Sequence, residues 1–206
     1  MSKTPENVFK KNLGHKQQLG IWSTLGAASV AELLLNCGFD WVLIDTEHSP
    51  NELPGVIEHL RVAQAAGVPA VVRPPWNDPV LVKRLMDQGA QSLLFPYVQN
   101  ASEAAAAVSS TRFPPHGNRG VSGNSRGAGY GIWPDYFKRY VDEVCVIVQI
   151  ETVEGSISSR RSPRSPASMR CSLDRPISPQ PWVISAMPSI PLCRVQSIAL
   201  SLASRR

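Results

Sequence analysis

Asp45, Thr46, Glu47 and His48 follow directly behind the apolar run Trp41-Val42-Leu43-Ile44, so three ionisable side chains arrive together where a strand-like segment ends. A histidine flanked by carboxylates can have its tautomer fixed and its basicity raised, which is what a general base needs. The same residues also suit a polar strand-to-helix loop that caps the helix behind it. Two further strand ends carry chemistry of the same kind. Val71-Val72 runs into Arg73, and Val144 to Ile150 carries Gln149 and is followed at once by Glu151. An arginine offers a fork of donors to a developing oxyanion. It also suits a structural ion pair, as Glu151 suits the opening of a helix.

The elements that must hold these groups alternate in type. Leu19-Gly20-Ile21-Trp22, Trp41 to Ile44, Pro69 to Arg73, Ser92 to Phe95 and Val144 to Ile150 read as strands. Helices are predicted for Ala27 to Leu35, with Ser23, Thr24 and Ser29 offering capping hydroxyls and Gly38 ending it, and for Glu52 to Ala66, stopping at Gly67. Asp78-Pro79 opens a third helix that runs to Gly89, and Ala101 to Ser109 makes a fourth. Apolar strands separated by helices indicate right-handed βαβ units and a parallel sheet. The polar strand ends would converge on one mouth in a (β/α)8 barrel, and in such folds ligands bind at the C-terminal ends of the strands. Five strand units are visible where closure needs eight.

Composition narrows the function classes. The 206 residues carry a formal charge of +5, but residues 1–155 hold 13 Lys and Arg against 15 Asp and Glu. Residues 156–206 hold 8 Arg and a single acid, Asp174, so the basicity belongs to that tail. No nucleic-acid motif or aromatic interleaving accompanies those arginines, which leaves nucleic-acid binding a remote third reading. Four scattered cysteines (Cys37, Cys145, Cys171, Cys193) without a CxxC pair fit mostly buried thiols in a reducing compartment. No signal-peptide core or membrane-length apolar stretch is present, so a soluble cytoplasmic protein that touches no membrane is the expectation. Six glycines between Gly117 and Gly131 lack the context of a nucleotide-binding loop. His15, His59 and His116 have no matching partner and are expected at the surface.

Taken together, several segments resemble the HpcH/HpaI aldolase family. They are Gly20-Ile21-Trp22, Asp40 to His48, Val71-Val72-Arg73-Pro74-Pro75-Trp76-Asn77-Asp78-Pro79, Arg112 to Val121, and Val148-Gln149-Ile150-Glu151-Thr152. The resemblance spans about residues 8–155 in unbroken register. It implies an α/β fold, a TIM barrel of the phosphoenolpyruvate/pyruvate type, incomplete here. It also implies a class II, metal-dependent aldolase that cleaves a 4-hydroxy-2-oxo acid to pyruvate and an aldehyde, in aromatic or sugar acid catabolism. A divalent metal (Mg2+, Mn2+ or Co2+) would chelate the 2-oxo acid and stabilise the enolate. By that resemblance Glu151 is the first metal carboxylate and Gln149 contacts substrate or metal-bound water. Arg73 faces the oxyanion, His48 is the base, acting through water, and Asp45 and Asp87 are candidates to orient it. Asp87, near its helix end, suits a structural role better than a catalytic one. Trp22 would line the aldehyde side, and the glycine-rich segment would lie beside the mouth with Arg119 and Arg126 assisting. The family assembles as a homo-hexamer, partly through C-terminal helices absent from this sequence.

The pattern breaks after Gly155. Residues 1–155 read as a partial aldolase barrel, and residues 156–206, with 13 Ser, 8 Arg and 7 Pro, as a non-homologous tail unsuited to folding. The resemblance calls for a second metal carboxylate in a strand-end motif like Phe-Ile-Gly-Pro-Ser-Asp-Leu, and Asp174 does not match it. One codon choice for Ser172 to Ser178, read one base earlier from the last base of Cys171, becomes TTC ATT GGA CCG TCC GAT CTC, which translates as that motif. The shifted text continues on both sides, across 167–195. The tail therefore reads as a frameshifted translation, which gene sequencing across codons 150–206 would test. Loss of the second carboxylate predicts little or no turnover by this chain, and the competing reading is a catalytically inactive truncated barrel.

Overall fold

The computed structural model describes residues 3–152 and Gly155. Within them, five strands form one parallel sheet in sequential order: β1 (Gly20–Ser23), β2 (Trp41–Asp45), β3 (Ala70–Arg73), β4 (Ser92–Phe95) and β5 (Cys145–Val148). Helices α2 (Ala28–Leu35), α3 (Leu53–Ala66), α4 (Pro79–Asp87) and α5 (Ala101–Ser110) link successive strands. Two helices were not foreseen: α1 (Val8–Asn12) ahead of β1 and α6 (Tyr136–Glu143) ahead of β5. Among the described residues β1 and β5 each pair on one side only. The tail, with Asp174, Cys171 and Cys193, lies outside the described residues, as does the expectation about its folding.

Local chemistry sets the boundaries. Asp78 accepts the N–H groups of Val80 and Leu81 at 2.8 and 3.0 Å, with Pro79 behind it, so α4 starts there. Asn100 caps α5 through the Glu103 N–H at 2.9 Å. Gly67 ends α3 at φ +69°, a left-handed conformation that suits glycine. The hydroxyls expected to cap α2 do not: it opens at Ala27 with no side-chain cap. Nor does the polar loop behind β2 cap α3, whose N-cap residue Glu52 makes no side-chain cap bond. Those loop side chains are engaged elsewhere.

Strand side chains alternate between two faces. On the outer face Ile44, Val72, Leu93, Phe95, Val146 and Val148 pack with Val56 and Leu60 of α3, Val82 and Leu85 of α4 and Tyr136 and Tyr140 of α6. On the inner face Trp41, Leu43, Val71, Leu94, Cys145 and Ile147 form a second cluster, closed at the N-terminal rim by Phe9 of α1, which is fully buried. Burying one such phenylalanine is worth about 1.5–3 kcal/mol. Asn7 fixes the plug, donating to Ser92 Oγ at 2.9 Å and to the Glu143 carbonyl at 2.8 Å. Gly20 leaves room for the Trp41 indole, since a Cβ there would lie 2.0 Å from the ring. Of the two described cysteines, Cys145 is buried in this interior and Cys37 is exposed. No helix among the described residues is long and apolar enough to cross a membrane.

Candidate active site

Alternation carries the inner face upward into the site. Asp45 is two residues beyond Leu43, Arg73 two beyond Val71 and Gln149 two beyond Ile147, so these polar side chains cap the interior stack at the C-terminal rim. Register brings two of them side by side, because Asp45 pairs with Arg73 across β2 and β3. Asp45 holds the guanidinium with both oxygens, from Nε and Nη2, each at 2.8 Å. Arg73 Nη1 lies 2.8 Å from Glu47 Oε2 and donates weakly to Gln149 Oε1 at 3.5 Å. The Trp22 ring stacks on the guanidinium, with Cζ 4.4 Å from its centroid. Asp45, Arg73 and Gln149 are buried.

Electrostatics separates the carboxylates. For Asp45 burial favours the neutral acid, but the Arg73 hydrogen bonds, the Glu47 and His48 backbone N–H groups and the Arg73 charge outweigh it. Its pKa is lowered. For Glu47 burial prevails over the attraction of Arg73 and His48, and the negative charges of Glu151 and Asp45 push the same way, so its pKa is raised. Glu47 Oε2 is buried and makes no hydrogen bond, although it sits within ion-pair distance of Arg73; the contact lies off the N–H direction. His48 is 75% exposed, with Nε2 3.5 Å from Glu47 Oε1. Glu151 Oε1 accepts the Tyr97 backbone N–H at 2.9 Å. Two carboxylates therefore hold one guanidinium, and the charge of Glu151 acts on Glu47 beside them, which leaves an excess of negative charge.

The loop behind β2 is tied from below by Asn51. Its buried amide donates to the Ser23 carbonyl at 3.2 Å, the Asp45 carbonyl at 2.8 Å and Ser49 Oγ at 3.0 Å, joining the ends of β1 and β2.

Among the expected site residues, Arg73, Asp45, Gln149 and Trp22 are in mutual contact through Arg73. His48 joins them through Glu47, and Glu151 stands within electrostatic reach of Glu47. Asp45 does not orient the imidazole, because both its oxygens serve Arg73; the carboxylate beside His48 is that of Glu47. Glu47 stood in the sequence only as one of the carboxylates flanking His48 and was given no role of its own, although its place directly before the histidine is the signal that marks it. Asp87 does not approach His48 within the chain. It ends α4 and pairs with Arg119 at 2.7 Å. The chain leaves each strand at the C-terminal rim and its helix carries it back, so a helix end lies at the opposite rim.

The glycine-rich segment is placed there too, and not at this chain's mouth, because it follows α5 and precedes β5. Arg126 donates to the Gln88 carbonyl behind α4, and Gly127 packs so closely that a Cβ would lie 2.3 Å from the Met86 carbonyl oxygen. His59, expected at the surface, is buried. Its Nδ1 lies 2.8 Å from the Gly55 carbonyl, and it shares the inward face of α3 with Val56, Leu60 and Ala63. His15 and His116 are exposed as expected. A cavity of about 440 Å³ opens on the same far rim, lined by Arg119, Arg126, Trp133 and Tyr136 among others. None of the strand-end carboxylates reaches it, so this cavity and the reactive groups lie on opposite rims.

The donor set suits a hard cation in type. Glu47, Glu151 and Gln149 offer oxygen ligands, and one buried carboxylate oxygen lacks a hydrogen bond. It falls short in number, for no group of three His, Cys, Asp or Glu side chains among the described residues is placed to hold a metal.

Comparison with known proteins gives one consistent answer. The family model for HpcH/HpaI aldolase/citrate lyase matches residues 18–158. A hydroxypyruvate/pyruvate aldolase of Sagittula stellata is 48% identical over 72% of the chain and 59% of its own length. A 4-hydroxy-2-oxo-heptane-1,7-dioate aldolase of Escherichia coli is 48% identical over 72% of the chain and 58% of its own length. Among solved structures, an HpcH/HpaI aldolase/citrate lyase family protein from Burkholderia cenocepacia superposes with a TM-score of 0.72 at 42% identity, over 75% of this chain and 63% of that one. The chain thus spans under two thirds of the length of these relatives.

Proposed function

Since the chain belongs to the HpcH/HpaI aldolase/citrate lyase family, we propose that its C-terminal rim is the pyruvate-handling part of a class II aldolase site. The reaction is cleavage of a 4-hydroxy-2-oxo acid to pyruvate and an aldehyde. The observation that carries this reading is the pair of carboxylates on one buried arginine with the charge of Glu151 acting on one of them, a charge excess that a divalent cation would neutralise. Glu151, with the Tyr97 amide steering one of its oxygens, is the residue that would hold the cation, beside Gln149. The cation would supply Lewis-acid stabilisation of the enolate that carbon–carbon cleavage leaves behind.

The chain's own groups divide the remaining work. Asp45 and Trp22 lock the Arg73 guanidinium, so a substrate oxygen that replaces the weak Gln149 contact would meet an N–H donor already held in place. His48 is exposed at the mouth and accepts the hydroxyl proton through a water molecule. Glu47 stands beside it to stabilise the imidazolium that results. The apolar interior below the rim keeps water from the enolate side.

A second reading, an inactive truncated barrel, is favoured by the missing third metal donor among the described residues. Exchange of the pyruvate methyl protons for deuterium, followed by proton NMR, separates the two. The aldolase reading expects slow exchange that requires Mg2+ and disappears in Glu151→Gln. Exchange that is absent with Mg2+, or indifferent to the substitution, refutes it in favour of the inactive barrel. Cleavage of a 4-hydroxy-2-oxo acid is expected to stay well below that of full-length relatives.

A further inference from the structure

Two aromatic rings at the C-terminal rim have no place in the core. Trp76, on the loop after β3, and Tyr97, on the loop after β4, stack with centroids 5.6 Å apart and planes 30° from parallel. They stay 53% and 42% exposed. Their backbones, by contrast, are pinned. Asn77 donates to the Glu103 carbonyl of α5 at 3.0 Å, and Asp78 N–H to the Trp76 carbonyl at 2.9 Å. Tyr97 N–H is held by Glu151, and Val98 N–H by the Gln149 carbonyl at 3.0 Å.

Tyr97 also sits at φ +56°, a left-handed conformation that glycine, asparagine or aspartate adopts more readily than a bulky aromatic residue. A strained aromatic residue, fixed through its amide to Glu151 yet showing its ring to solvent, is a feature of the kind found at ligand clamps.

We propose that the Trp76–Tyr97 pair is a receiving wall for the non-reacting part of the aldehyde, and that it selects aldehydes carrying a flat, apolar substituent. The inference rests on the aldolase reading for the word aldehyde, but the wall itself rests on the rings. Arg73 and Glu151 mark the oxo-acid end of the site. The rings belong to the loops after β3 and β4 at the same rim, and the amide of Tyr97 holds Glu151, so the far end of a longer substrate would lie near them. Rigid aromatic faces already aligned bind a planar group without ordering loops, which is the cheapest way to add selectivity.

The probe is 4-fluorobenzaldehyde, titrated into the full 206-residue chain and followed by fluorine NMR. Oxalate with Mg2+, an enolate mimic titrated by calorimetry, reads the oxo-acid end separately. Trp76→Ala and Tyr97→Asn each remove one exposed ring, and asparagine keeps both the left-handed backbone and the amide that holds Glu151. Each is expected to weaken aldehyde binding about fivefold, as loss of one aromatic stacking partner should. Trp76→Phe, which keeps a ring, should recover most of it. Unchanged aldehyde affinity in both variants, or no binding to the parent chain, overturns the proposal. Loss of oxalate binding alone, with ring-dependent aldehyde binding intact, removes the aldolase reading and leaves the wall standing.

Discussion

Replacing Asp45 by asparagine tests the electrostatic heart of the site. Asp45 is 1% exposed and holds Arg73 by two charge-assisted hydrogen bonds of 2.8 Å. Asparagine keeps one acceptor oxygen but turns an amide N–H2 toward a guanidinium N–H, so one bond is lost and two donors face each other. Removing one partner of a buried ion pair typically costs about 3–5 kcal/mol. Here Glu47 remains 2.8 Å from Nη1 and takes up part of the charge, which places the expected loss near the lower end, about 3 kcal/mol. With a urea dependence of about 2 kcal/mol per molar, the unfolding midpoint should fall by about 1.5 M. Arg73→Met alone strands Asp45 as a buried carboxylate and should cost a similar amount. The double substitution removes both charges of this pair and leaves only Glu47 without its partner, so its cost should fall short of the two singles combined by about 2 kcal/mol. A midpoint shift below about 0.5 M for Asp45→Asn, or strict additivity in the double variant, would refute the claim that this pair is a desolvated, mutually dependent unit.

Two other substitutions probe the same rim. Glu47→Gln should raise stability at neutral pH. A carboxylate whose folded pKa lies above its unfolded value destabilises the fold increasingly as pH climbs through the unfolded value near about 4.3 towards the raised folded one, and the amide removes that slope. Thermal melts of parent and variant should therefore diverge with rising pH and converge in acid; parallel curves would show that Glu47 is not held up by burial. Asp45 has the opposite sign, contributing stability above about 3.9 that is lost as pH falls, so the Asp45→Asn deficit should shrink below that value. Asn51→Ala unties three acceptors at the ends of β1 and β2, and the loss of these buried hydrogen bonds should cost about 2 kcal/mol by urea melts, with faster amide exchange in the loop at 46–51. Unchanged exchange there would show that the loop is fixed by something else.

Much of this architecture was legible because period and punctuation agree. Short apolar runs ending in polar residues gave all five strands, with glycine and proline bounding β3 and β4, and Asp78-Pro79 set the start of α4 because capping is local chemistry. The short α1 and the amphipathic α6 escaped for the opposite reason. Five residues make too little periodicity to read, and the apolar face of α6 consists of tyrosines whose burial depends on Phe113 and Arg119 far along the chain. Charge in the site was only half legible. The sequence shows which acids share a strand end, but not which of them a single arginine will engage. Across β2 and β3 the register pairs Asp45 with Arg73, and that leaves Glu47 beside the imidazole.

In a chain of alternating strands and helices, order along the chain assigns the rim: residues just after a strand lie at the mouth, and residues just after a helix lie at the far side. Asp45 to His48, Arg73 to Trp76, Tyr97 and Glu151 all follow strands, and all gather at one rim. Asp87 ends a helix, Arg119 and Arg126 follow one, and the structure pairs them with one another and with the end of α4. The same rule explains why the rings of Trp76 and Tyr97 belong with the carboxylates even though they touch none of them through a side chain. Both sit on loops leaving adjacent strands, and the backbone of one of them holds Glu151. A substrate bound at Arg73 and Glu151 that extends past the end of β4 would therefore meet those rings before open solvent.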